Sequence, residues 1–172
     1  MKKNHPLIFC SGDTVRLKLT APVVTQMIAC CQNTAAKPEA GGILLGRHLF
    51  DCTDVVVDKI TKPMKGDKQS RFRFFRDAYR HQQVINTAWR DSEGTCNYLG
   101  EWHTHPEPEP TPSSIDLLNW RRRLLFDKFD SDGLFFVIVG TRIISVWHGS
   151  KTWLHIQQMT CVSSDEIGYK VA

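Results

Sequence analysis

Two histidines one residue apart, His103 and His105, open the stretch His-Thr-His-Pro-Glu-Pro-Glu-Pro-Thr-Pro-Ser-Ser-Ile-Asp116. Their imidazoles and the carboxylate of Asp116 are three donors of the kinds that bind zinc. Three protein ligands leave a fourth position for water, which separates a catalytic zinc site from a closed structural one. The chemistry predicted is hydrolysis. It needs two further groups: a base for the attacking water and a donor for the oxyanion that forms.

Two glutamates compete for the role of base. Glu39 follows Pro38, precedes Gly41-Gly42 and opens an apolar strand, where a carboxylate is more than solubilising charge. Glu101 is nearer in sequence and shares the face of His103 and His105 if the strand alternates. It could equally be a fourth ligand or a partner behind the ligands, and the pattern alone leaves the choice open. Ser113 offers a hydroxyl to an oxyanion, but it is also a natural helix N-cap. Asp116 has a similar second reading. Ser113-Ser-Ile-Asp116 has the outline of a capping box, and acids suit a helix's first turn. One carboxylate oxygen could serve each role.

The elements that must position these groups are legible from periodicity. Strands are expected at 6–10 and 14–20. A helix starts at Thr20-Ala-Pro22, with Thr20 as capping residue and Val24, Met27, Ile28 and Cys31 on its apolar face. Residues 39–50 read as a strand entered through glycines, with 54–60 as its hairpin partner. Residues 61–70 read as a polar, basic loop and 71–75 as an alternating strand. A helix spans 77–91 and ends before Gly94. The histidines sit at the end of a strand over 98–105, stopped by Pro106, which cannot continue a ladder. Then follow a proline-rich loop at 106–112, a helix over 114–129 and strands at 134–140, 143–149 and 153–159; the last dozen residues show no pattern. Helices interrupting a mainly antiparallel sheet predict an α+β fold, an α/β/α sandwich.

The bulk properties bound the rest. At 172 residues the chain is expected to form a single domain over 1–172. The six cysteines include no Cys-x-x-Cys pair, so neither a thiolate zinc ribbon nor a thioredoxin motif is expected, and none is proposed as a nucleophile. The N-terminal apolar run is too short for a signal peptide, and no segment reaches the ~20 apolar residues of a membrane span. A cytoplasmic protein with no membrane partner is expected. The net charge of +4 is spread along the chain, so no nucleic-acid partner is expected; Arg121-Arg122-Arg123 reads as the polar side of a helix.

Taken together, Glu39, His103, His105, Ser113 and Asp116 resemble the JAMM/MPN metalloprotease pattern: a glutamate on an early strand, then His-x-His-Pro, a serine and an aspartate three residues beyond it. The resemblance runs over about residues 10–160 in element order. It implies the MPN (cytidine deaminase-like) fold and one zinc ion per chain held by His103, His105 and Asp116. It makes Glu39 rather than Glu101 the general acid/base and Ser113 the oxyanion donor. Tyr98-Leu-Gly-Glu-Trp-His-Thr-His-Pro106, Pro112-Ser-Ser-Ile-Asp116 and Phe72-Arg-Phe-Phe-Arg-Asp77 are similar to the bacterial JAMM deconjugases of antiphage CBASS operons. That branch implies a bacterial cytoplasmic isopeptidase. It would release the C-terminal tail of a cGAS-like nucleotidyltransferase from targets to which an E1/E2-like protein had joined it. The alternatives are a JAMM peptidase that trims a sulfur-carrier or ubiquitin-like precursor, and a non-enzymatic MPN scaffold, against which the intact site argues. A DNA-associated role would need a clustered basic face. Eukaryotic relatives carry a substrate-gripping insertion after the zinc aspartate, for which the elements after Asp116 leave no room. The basic loop 61–70 and strand 71–75 are the remaining candidates for holding an extended tail, against the reading of their lysines and arginines as a solvated face.

Overall fold

The computed structural model describes residues 5–12 and 15–162. In chain order these form β1 (Leu7–Ser11), β2 (Val15–Leu19), α1 (Ala21–Ala29), β3 (Gly41–His48), β4 (Val55–Ile60), β5 (Lys68–Ser70), β6 (Arg73–Phe75) and α2 (Ala78–Asp91). After these come β7 (Asn97–Thr104), α3 (Ser114–Phe126), β8 (Gly133–Val139), β9 (Ile144–Ser150), β10 (Ile156–Gln158) and β11 (Thr160–Cys161). One sheet runs in the order β10-β9-β8-β7-β3-β4-β2-β1-β11, and β5 and β6 form a separate hairpin. The sheet is mixed: β7 and β8 are parallel, as are β2 and β4, and the other neighbours are antiparallel.

The α+β sandwich follows from how the strands divide their side chains. On β8, Phe135, Val137 and Val139 join one buried cluster with Val23, Val24, Met27 and Ile28 of α1. Leu134, Phe136 and Ile138 join the other, with Ala88 of α2 and Trp120 and Leu124 of α3. A fully buried strand covered on both faces reads as a continuous apolar run, as Leu134-Phe-Phe-Val-Ile-Val139 does. Trp120 stacks on Phe136 with centroids 4.7 Å apart, which fixes α3 against the sheet beneath the histidines.

Several boundaries differ from expectation. Thr20 occupies the N-cap of α1, but its side chain makes no capping bond and its hydroxyl is buried without a partner. Pro22 in the first turn and the docking of Thr20 N–H on Val57 O at 3.1 Å start this helix instead. The basic loop holds strand β5, so loop and neighbouring strand are one hairpin. Helix α3 ends at Phe126. The last expected strand is only β10, and β11 returns to the far edge of the sheet beside β1. Residues 163–172 of the patternless tail lie outside the described residues.

A buried polar chain ties the hairpin to the sheet. Thr61 Oγ1 accepts from Ile43 N–H at 2.9 Å and lies 2.7 Å from His81 Nδ1. His81 Nε2 lies 3.1 Å from Asp67 Oδ2, and Asp67 accepts from the N–H groups of Met64 and Asp77. A neutral imidazole with its proton on Nε2 satisfies every member. Burial lowers the His81 pKa, against the raising pull of Asp67. The unfolded chain therefore takes up a proton near pH ~6.5 where the folded chain does not. The stability this group confers is full above that pH and is lost as pH falls toward the depressed folded value. A His81→Gln protein should thus lose less of its Tm between pH 7 and 5 than the wild type, both measured in chelator; equal slopes would refute the assignment.

Candidate metal centre

The face on which the histidines lie is set by a bulge. Leu44 pairs with Gly100 and Leu45 with Tyr98, so Leu99 is an extra residue in β7. A bulge reverses the in–out alternation beyond it. Tyr98, Glu101 and His103 consequently face α3, whereas Leu99 and Trp102 face α1. Gly100 makes the bulge possible: its φ is +136°, and a Cβ there would stand 1.9 Å from Phe135 O. Strand β7 ends at Thr104, one residue short of the expected end, and His105 just beyond it donates its N–H to Val139 O at 3.0 Å, which fixes the second histidine to the end of β8.

The donors converge. His103 Nε2 and His105 Nε2 are 3.0 Å apart. Asp116 Oδ1 is 3.4 Å from His103 Nε2, and Oδ2 is 3.5 Å from His105 Nε2. Ligand atoms ~2.1 Å from a tetrahedral zinc are about 3.4 Å from one another, so the donor set suits such an ion. His105 Nδ1 lies 3.7 Å from Glu107 Oε2, an acidic neighbour on the side away from His103. Outer partners of this type orient a ligating ring. Glu39 completes a His/His/Glu group whose donor atoms all lie within 4.8 Å.

Asp116 divides its carboxylate much as the sequence allowed. Oδ2 accepts from Ser113 N–H at 2.7 Å and from Ser113 Oγ at 2.6 Å, and Ser113 Oγ accepts in turn from Asp116 N–H, closing the capping box. Oδ1 is left to face His103. The two acids differ electrostatically. Burial opposes ionisation of Asp116, but bonds to His103, His105 and Ser113 outweigh it and hold the carboxyl far below the usual range. Burial raises Glu39, against the pull of His103 and His105.

Glu39 lies just before β3 rather than within it. Its N–H donates to Ser70 O at 2.8 Å, and Gln69 Nε2 donates to its carbonyl at 2.8 Å. A backbone hydrogen bond from Phe74 reaches its carboxylate. The hairpin thus mounts the acid. Gly41 permits the approach, since a Cβ there would lie 2.5 Å from the Phe74 ring. On the other side Thr104 Oγ1 accepts from Ala40 N–H and donates to the buried Gln32, which also donates to Arg71 O.

Residues 20–154 match the family model described as prokaryotic homologs of the JAB domain. The chain belongs to the Prok-JAB family. It is 34% identical to a Vibrio cholerae CD-NTase/cGAS isopeptidase over 88% of this chain and 92% of that one. It is 30% identical to an Escherichia coli protein of the same name over 86% and 89%. A solution structure of a Desulfitobacterium hafniense protein superposes with a TM-score of 0.57 at 24% identity, covering 84% of this chain and 89% of that one; this likeness concerns the fold. Family membership and the His/His/Glu cluster together mark a metalloenzyme of the JAMM type.

Glu101, the rival carboxylate of this Prok-JAB chain, is engaged elsewhere. Arg76 Nη2 donates to its Oε2 at 3.2 Å, and Arg123 Nε is 3.5 Å from its Oε1. Both its oxygens therefore face guanidiniums. The sequence reading missed Gln32, Gln69, Thr104 and the Arg76–Glu101–Arg123 group. Alternation of β7 was the one available signal for Glu101, and none marked its partners. Among the described residues no helix is long and apolar enough to cross a membrane.

Proposed function

We propose that the protein is a zinc isopeptidase that releases the C-terminal tail of a cGAS-like nucleotidyltransferase from proteins to which an E1/E2-like enzyme has joined it, as part of a bacterial antiphage CBASS system. The observation that carries the reading is the convergence of Glu39, His103, His105 and Asp116 at one strand end in a Prok-JAB chain. The named relatives supply the substrate class. His103, His105 and Asp116 hold one zinc ion. When bound, zinc supplies a Lewis acid that polarises the scissile carbonyl and acidifies water. The firmly ionised Asp116 suits a ligand. Glu39, whose proton affinity is raised by burial, suits a base: it takes a proton from the attacking water and returns it to the leaving lysine amine. Ser113 is exposed, with its hydroxyl on Asp116. Turning that hydrogen to the developing oxyanion stabilises it, while the Ser113 N–H keeps Asp116 in place. No step needs a covalent acyl-enzyme, so the cysteines stay spectators.

The test is cleavage of the cognate nucleotidyltransferase joined through its C-terminus to a reporter. Cleavage should stop with chelator and return on adding about one equivalent of zinc. Chelator-resistant cleavage would sink the metal assignment. Cleavage only of a sulfur-carrier or ubiquitin-like precursor would replace the substrate while leaving the chemistry.

A further inference from the structure

Arg76 exposes only 10% of its side chain, yet its Nε is buried without a hydrogen-bond partner. Arg123 Nε is likewise buried and without a hydrogen bond. Both guanidiniums line a cavity of about 110 Å³ that also holds Glu39, His103 and Asp116. Buried donors left unpaired are costly, and they concentrate where a ligand or water completes them.

The balance of donors and charges selects the ligand. Two guanidiniums carry about ten N–H donors between them. Each Glu101 oxygen already faces one arginine. Asp127, which accepts from Arg123 Nη1 at 3.4 Å, is not among the residues lining the cavity. Around Glu101 itself two cations thus meet one carboxylate; the other two acids lining the cavity, Glu39 and Asp116, lie with the histidines of the metal centre. An entering carboxylate or amide oxygen finds donors, whereas a lysine or arginine meets like charge. Glu101 and His103 are two residues apart on β7, about 6.6 Å along the strand, which is also the span of two residues of an extended substrate.

We infer that Arg76, Glu101 and Arg123 form a specificity subsite that takes a hydrogen-bond acceptor of the bound substrate chain about two residues from the bond that is cut. Glu101 is the positioning residue that aims both guanidiniums. The inference rests on the peptidase reading above. The acceptor belongs either to the tail on the acyl side or to the target protein on the amine side.

The probe is a set of labelled eight-residue peptides spanning the scissile position, each carrying Asp, Asn, Ala or Lys at one of the four central positions. Binding is measured to zinc-loaded Glu39→Gln protein, so turnover is not required. At one position Asp and Asn should bind about ten-fold more tightly than Ala, with Lys weakest; the side of that position identifies the source. Arg123→Gln in the same background should erase the preference with zinc content unchanged. Arg123 is the variant of choice because its side chain is 36% exposed, whereas Arg76→Gln risks the fold. No acceptor preference at any position, or a preference that survives Arg123→Gln, overturns the inference. Failure of the peptidase reading registers separately, as a wild-type enzyme that does not cleave the tail fusion.

Discussion

Replacing Glu39 by Gln should lower kcat by about 10²- to 10⁴-fold, the range a positioned general acid–base group supplies. Zinc content should stay near one per chain. The separation of these readouts follows from where Glu39 sits. Its backbone is held by Ser70 and Gln69 on the hairpin, and none of those bonds involves the carboxylate. A glutamine oxygen can still accept from Phe74 N–H. Burial already opposes ionisation of this acid, so removing the charge should leave Tm unchanged or slightly higher. The alternative within the same geometry is that Glu39 is itself a ligand, since it shares the 4.8 Å cluster with both histidines. In that case Glu39→Gln loses metal along with activity. Steady-state cleavage of the tail fusion and elemental zinc analysis on one preparation separate the two. A variant with full activity refutes both.

How much of this was legible beforehand depends on the range of the interaction involved. His103, His105, Ser113 and Asp116 were readable because local rules place them: strand alternation, a proline stop and a capping box act over a few residues. The β8 run and the α3 start were readable for the same reason. Glu39 was readable as a candidate but not as the choice, because its approach to the histidines depends on Gly41 pairing with His103 across the sheet. Glu101 shows the limit most clearly. Its face on β7 was correctly anticipated, but its partners Arg76 and Arg123 come from just before α2 and from the last turn of α3. No periodicity links them. The hairpin was read as a basic loop because Lys68-Gln-Ser70 is polar on both faces; its order comes from the buried Thr61–His81–Asp67 chain and from Glu39 itself. The bulge at Leu99 left no mark except a glycine, and a strand glycine has several meanings.

Replacing His103 should abolish cleavage by a different route, through loss of the metal. His103 is buried against Trp120, with ring centroids 6.4 Å apart, so an alanine would leave a cavity and confuse metal loss with unfolding. His103→Gln keeps most of the volume and is the better variant. In chelator its Tm should lie close to that of the wild type. In zinc the two should separate, because a ligand that binds only the folded state adds RT ln(1 + [L]/Kd), about 2.7 kcal/mol at a hundred-fold excess over Kd. The wild type should gain that increment and His103→Gln should not. Asp116→Asn supplies the control for the other half of the site. An asparagine oxygen can still accept from Ser113 N–H, so helix α3 keeps part of its cap while the ionised donor is lost. Its unfolding free energy in chelator should fall by no more than the ~1 kcal/mol of a weakened N-cap, and its response to zinc should be reduced as well. If His103→Gln retained one zinc per chain with a normal zinc-dependent rise in Tm, the ion would have to be held by the remaining carboxylates and His105. The assignment of His103 as a ligand would then be wrong.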